Sequence, residues 1–215
     1  MTRRIDPGLI PPSPNLHFES ALWKVGLLAI AGIDEAGRGC LAGPVTTAAV
    51  ILPDHEEVAF SLTGIRDSKQ LNAEDRGNAR KRIERISLAW AVGWADNGEI
   101  DQFGIVPATR LAIRRALDKL SLAPDHLLVD YLVLPDIPIP QTRLVKGDAR
   151  SLSIAAASIL AKTHRDTWMI KSANNYPGYG FDKNKGYGTA AHQDAIHSQG
   201  PCPLHRMSFA PLRGH

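Results

Sequence analysis

An apolar run of nine residues, 25–33, stops at Asp34-Glu35 and is followed at once by Gly37-Arg38-Gly39. Such a run is about half the length a membrane-spanning helix needs. Its 27–33 part predicts a short buried strand that runs into a turn. An acid pair closing a buried strand is costly to desolvate without partners. The fold must therefore bring partners to these two carboxylates.

The rest of the chain supplies elements that can surround such a strand. Apolar, partly β-branched residues at 45–52 predict a second strand, and the alternation at 87–95 a third. Short strands are also expected at 127–130, which ends on Asp130, and at 142–145. Residues 72–86 suit a helix, with Asn72 as N-cap and Glu74-Asp75 in its first turn. Ile113, Ala116, Leu117 and Leu120 follow helical spacing, and Pro107 fits an early helical position. Residues 151–161 contain no charge and read as a buried helix, followed by a polar turn at 162–166. After Tyr176 the composition shifts to Gly, Tyr, His and Lys, with a short helix capped by Thr189.

This order predicts an α/β domain, a mixed sheet flanked by helices with a small helical C-terminal segment. The expected boundaries are a loosely ordered extension at 1–26, rich in proline at its start, a catalytic domain at 27–172, and the C-terminal segment at 173–215. Of the 215 residues, 44% are hydrophobic and 22% charged, which excludes disordered and fibrous classes. Cys40 and Cys202 are too few for a disulfide framework, so free thiols in a reducing compartment are expected. The start carries no apolar segment of a secretory signal, and a cytoplasmic location follows.

Net charge is only +3, so any nucleic-acid surface must come from charge placement. Residues 66–85 carry seven Lys/Arg against four acids, and residues 143–165 carry five against Asp148 alone. Strips of this kind can neutralise phosphates, though a solvated helix face explains Arg80 to Arg85 equally well.

Asp34, Glu35 and Asp130 stand at predicted strand ends, and Asp148 precedes the buried helix. Strand ends are where sites assemble in α/β sheets. Converging carboxylates repel unless a cation neutralises them, and an all-oxygen set favours Mg²⁺ or Mn²⁺ over zinc. Two such ions can activate water and stabilise a leaving oxygen in phosphodiester cleavage. Separate roles as caps and turn residues remain open for Asp130 and Asp148 on spacing alone.

The segment 32–45, with Gly32-Ile33-Asp34-Glu35-Ala36-Gly37-Arg38-Gly39, resembles the ribonuclease HII family, the type 2 ribonucleases H. So do Asp67-Ser68-Lys69-Gln70-Leu71, Val129-Asp130, Lys146-Gly147-Asp148 with the helix at 151–162, Lys185-Gly186-Tyr187-Gly188-Thr189 with His192, and His205-Arg206-Met207-Ser208-Phe209. The likeness runs from about His17 to the end, in the family's order. It implies an RNase H-like α/β core and endonucleolytic cleavage of the RNA strand in RNA–DNA hybrids, leaving 3′-hydroxyl and 5′-phosphate ends. Single ribonucleotides embedded in duplex DNA are implied as targets, cut on their 5′ side, in ribonucleotide excision repair.

The resemblance implies that Asp34, Glu35, Asp130 and Asp148 hold the metal, Mn²⁺ or Mg²⁺, with two ions during catalysis. Gly37, Arg38 and Gly39 become readers of the 2′-hydroxyl, where glycine lets backbone approach a sugar closely. Tyr187 would stack on the sugar of the following deoxynucleotide. Ser68 and Lys69 are expected to contact the nucleic-acid backbone. His192 and His205 read as structural hydrogen-bonding residues, and Tyr176 and Tyr179 as packing residues. A monomer without membrane contact is expected. The competing readings are a catalytically silent binder of hybrids and a DNA nuclease on the same fold.

Overall fold

The computed structural model describes residues 6–65 and 71–213. Five strands form one mixed sheet: β1 (Ile30–Ala36), β2 (Val45–Ile51), β3 (Ala89–Ala95), β4 (His126–Asp130) and β5 (Gln141–Leu144). Their order is β3-β2-β1-β4-β5. β1 runs antiparallel to β2 and parallel to β4. The mixed sheet expected from the sequence is present.

β1 differs from its predicted span in one consequential way. It begins three residues later, at Ile30, and runs on through Ala36, so that Asp34 and Glu35 lie inside the strand. Pairing decides this, because Asp34, Glu35 and Ala36 face Ala48, Thr47 and Thr46 of β2 across the ladder. Side chains alternate across a strand, so Asp34 shares a face with Gly32, and Glu35 takes the other.

Helices cover both faces. One face carries α6 (Leu152–Ser172) and α3 (Ala73–Ile86), with Val50, Ile83, Ile159 and Leu160 in its core. The other carries α5 (Ile105–Leu117), with Ile33, Ile51, Ile113 and Val129. α6 lies unusually close to β1: a Cβ at Gly32 would stand 2.2 Å from the Ser153 carbonyl carbon. Only glycine permits that approach. It seats α6 directly against the strand that carries the acids.

The polar turn expected at 162–166 is absent, and α6 continues through it to Ser172. Two features carry the helix on. Lys162 and Asp166 pair at 2.8 Å across one turn. Arg165 turns inward, fully buried, and donates to the carbonyls of Pro44 (2.9 Å), Lys185 (2.8 Å) and Ala42 (3.0 Å).

The expectation of a loosely ordered 1–26 segment also needs correction, because it contains α1 (His17–Trp23). Its Glu19 is buried, and Oε1 accepts from the Ser151 hydroxyl (2.6 Å), the Ser153 hydroxyl (2.6 Å) and the Ser153 N–H (3.0 Å). That carboxylate meets the positive end of α6, where orphan N–H groups and the helix dipole favour an anion. α2 (Val58–Ser61) and α4 (Asn97–Phe103) complete the domain; Asp96 and Glu99 form a reciprocal capping box on α4. Asn72 and Thr189 cap α3 and α8 (Ala190–Gln199) as expected, each side chain accepting from a first-turn N–H. Together with α7 (Phe181–Asn184), α8 builds a separate apolar cluster around Leu41, Met169, Phe181 and Leu212.

Candidate active site

β1 and β4 are level, with Ile33 beside Val129, so the next residues, Asp34 and Asp130, are neighbours on the face toward α6. A short 3-10 turn at Gly147–Ala149 brings Asp148 to the start of that helix. Residues more than a hundred positions apart thereby line one cleft of about 510 Å³: Asp34, Glu35, Asp130 and Asp148. The loop 37–39 and Tyr187 form further walls.

Asp34 is only 6% exposed. Burial first, then the carboxylates of Glu35, Asp130 and Asp148, holds its carboxyl well above the usual carboxylate range. A hydrogen bond with Ser158 of α6 opposes the rise. The Glu35 N–H donates to Asp34 Oδ1 at 2.7 Å, and the Gly147 N–H donates to Asp130 Oδ1 at 2.7 Å. Backbone thus fixes both aspartates. Glu35 receives Arg38 at 3.0 Å.

Among the described residues, no three His, Cys, Asp or Glu side chains close into a ready-formed metal cage. The acids nevertheless share one cleft and one field. Their repulsion opposes contraction until positive charge arrives. An all-oxygen donor set with a buried, destabilised carboxyl fits a hard divalent cation.

The glycine loop is held from beneath by the C-terminal segment. Arg206 is buried and donates to the carbonyls of Gly43 (2.9 Å), Arg38 (2.9 Å) and Gly37 (2.7 Å). Burial presses its pKa down to about 10. Gly37 adopts φ +90°, and a Cβ there would meet Arg165 Nε at 2.0 Å. Two buried guanidiniums therefore shape the turn, each satisfied by three carbonyls. In sequence Arg206 stands only within the His205–Phe209 motif, and Arg165 falls in the basic strip at 143–165 that can neutralise phosphates. Arg165 is instead an internal brace. In sequence each arginine simply follows a histidine, His164 and His205, and spacing alone does not distinguish either from a surface cation.

Tyr187 is 38% exposed, with the Lys162 ammonium 5.0 Å from its ring centre. Burial first, and then Cys40, raises its phenol to about 12. Lys162 and Ser158 also line the cleft, as do Ile105 and Phe209. In sequence Ser158 is one of three serines in the uncharged stretch 151–161, with nothing to single it out. His192 and His205 bond to each other at 3.1 Å, and Tyr179 is buried with its hydroxyl on the Gly200 carbonyl, both structural as expected. Ser68 and Lys69 lie outside the described residues. No helix among those residues is long and apolar enough to cross a membrane.

Comparison with known proteins gives the family. The Ribonuclease HII family profile matches residues 31–212. A ribonuclease HII of Dehalococcoides mccartyi is 51% identical over 200 residues, covering 93% of this chain and 94% of that relative. The crystal structure of ribonuclease H2 from Pyrococcus horikoshii OT3 has a TM-score of 0.72 at 23% identity, covering 86% of this chain and 96% of that one. Bst-RNase HIII in complex with Mn²⁺ has a TM-score of 0.64 at 22% identity, covering 89% of this chain and 70% of its own. With the profile spanning the sheet, the acid cleft and the C-terminal brace, the chain belongs to the ribonuclease HII family and is a ribonuclease H, an endonuclease of RNA–DNA hybrids.

Proposed function

We propose that this enzyme cuts on the 5′ side of a single ribonucleotide embedded in duplex DNA, as well as within longer hybrids, leaving 3′-hydroxyl and 5′-phosphate ends. The observation that carries this reading is the cleft itself. Four carboxylates line it beside a glycine loop and an exposed tyrosine. Asp34, Glu35, Asp130 and Asp148 are the residues that would hold Mg²⁺ or Mn²⁺. When bound, two such ions supply the charge that activates water and stabilises the leaving oxygen.

The chain's own residues do the selecting. Gly39 is exposed and Gly37 positions the loop carbonyls on Arg206, so backbone at 37–39 can approach a 2′-hydroxyl closely. Tyr187, supplied by the 173–215 segment, packs on the deoxyribose that follows and completes the substrate site. Ser68 and Lys69 contact the phosphate backbone. A silent binder would gain nothing from four acids facing phosphates, and a DNA nuclease would have no use for a hydroxyl reader.

The test is a labelled DNA duplex carrying one ribonucleotide, incubated with Mg²⁺, Mn²⁺ or excess chelator. Cleavage 5′ to the ribonucleotide is expected with either ion and none with chelator or on all-DNA duplex. Undiminished cleavage in chelator would exclude the metal assignment.

A further inference from the structure

Among the described residues, three that are not glycine hold a left-handed backbone: Tyr131 (φ 56°), Lys146 (φ 53°) and Lys185 (φ 52°). Each stands within two residues of the proposed site, beside Asp130, Asp148 and Tyr187 respectively. Bulky side chains avoid this conformation, and it persists only where surrounding structure forces it. For Lys185 the force is visible, since its carbonyl accepts from the buried Arg165 at 2.8 Å.

At Tyr131 the chain reverses sharply. The Leu132 N–H donates to the Asp130 carbonyl at 2.6 Å, a three-residue turn with Tyr131 at its apex. The Tyr131 N–H donates to Leu144 at the end of β5 at 2.9 Å. This reversal lets Leu132 and Leu134 bury against the α5 face of the sheet, and Gln141 clamps Leu134 with two hydrogen bonds of 2.9 Å. The packing explains the turn but not the ring. Glycine would adopt the same φ without strain, yet the apex carries a tyrosine that is 43% exposed. Across the strand ends, the edge strand β5 and the turn after it present exposed Arg143 and Lys146.

We propose that Tyr131 and Lys146 grip the nucleic-acid strand on the 5′ side of the scissile bond, the ring packing on a sugar and the ammonium meeting a phosphate. The inference rests on the reading of the cleft given above, in which Tyr187 meets the sugar on the 3′ side. Tyr187 stands beside Lys162 and Arg165 of α6. Tyr131 instead follows Asp130 directly at the end of β4 and leads into the segment packed on the α5 face, outside the cleft wall that Tyr187 forms. A strand passing from Tyr187 across the acids leaves toward the ends of β4 and β5. An exposed ring can pack flat on a sugar of a duplex strand, and an exposed ammonium on the next strand end can meet its phosphate.

The experiment compares two duplexes with one ribonucleotide each, one with a long 5′ flank and one cut back to a single nucleotide before it, both with Mn²⁺. The readout is the ratio of kcat/KM on the long flank to that on the short one. Tyr131→Gly keeps the turn, so its Tm is expected to equal or exceed the wild-type value, while the ratio falls about tenfold, the order of one lost aromatic packing contact. Tyr131→Phe is expected to restore the ratio. Lys146→Asn, a residue tolerant of the left-handed region, is expected to reduce the salt slope of binding by about one phosphate contact on the long flank only. An unchanged ratio in Tyr131→Gly, or an equal loss on both duplexes, would overturn the grip. Wild-type protein that cuts neither duplex would overturn the proposed function and the grip with it.

Discussion

Asp34 shows how a single residue can be poor for stability and required for function. Its carboxyl is buried and faces three others, so ionisation is opposed both by desolvation and by repulsion. A carboxyl whose folded pKa lies above its unfolded value is a source of stability at low pH that is lost as pH rises through the folded value. Asp34→Asn removes that charge while keeping the shape. In chelator at neutral pH the variant is expected to melt above the wild type. It is expected to lose cleavage in Mg²⁺ or Mn²⁺ while binding hybrid within several-fold, because phosphate contacts come from lysines, arginines and backbone amides. Calorimetry and a cleavage assay check both halves. Retained turnover would remove Asp34 from the machinery.

At the scale of elements, α6 organises the site. It meets β1 at Gly32, offers Ser158 to Asp34, and carries Arg165 beneath the glycine loop. Its N-terminus is anchored by Glu19 from α1, which serves two serine hydroxyls and one N–H. Glu19→Ala leaves the Ser153 N–H and one of the two hydroxyls buried without an acceptor, since the hydroxyls can still bond each other at 3.1 Å, at a cost of roughly 1–3 kcal/mol. Urea unfolding is expected to report that loss as a lower midpoint with α1 undocked. An unchanged midpoint would mean that α1 contributes nothing through this carboxylate. Asn72, Asp96 and Thr189 show the opposite case, where a cap and the residues after it define a helix start locally.

For the whole molecule, a chain of hydrogen bonds ties the C-terminal segment together. The Tyr187 carbonyl only accepts, so the His192 Nδ1 that meets it at 2.9 Å carries the proton. His192 Nε2 then accepts from His205 Nε2 at 3.1 Å, and His205 Nδ1 accepts the Cys202 N–H at 2.9 Å. The Nε2–Nε2 link fails when both imidazoles are charged, and His205 Nδ1 accepts the Cys202 N–H only while it carries no proton. Burial lowers both, His205 to about 4. Unfolded histidine titrates near 6.5, so the unfolded chain binds more protons between these values. Stability from the pair is complete above about pH 6.5 and falls as pH drops toward 4. A Tm profile over that window is expected to be flatter in His205→Gln than in the wild type. Parallel profiles would show that the pair does not drive the acid response.

What is local or compositional can be read along the chain. Period-two and period-three-to-four patterns set the strands and main helices, cap residues set several helix starts, and the acid and glycine motifs marked the cleft. Which side of each element matters depends on what packs against it in three dimensions. Pairing with β2 carried β1 past Asp34 and Glu35, because a ladder does not stop where hydrophobicity does. Buried carbonyls from distant loops turned Arg165 and Arg206 inward and kept α6 helical through a stretch that reads as polar. A charge is legible in one dimension, but its partners are not. The cost of burying it depends on groups more than a hundred residues away, and folding alone brings those within hydrogen-bonding distance.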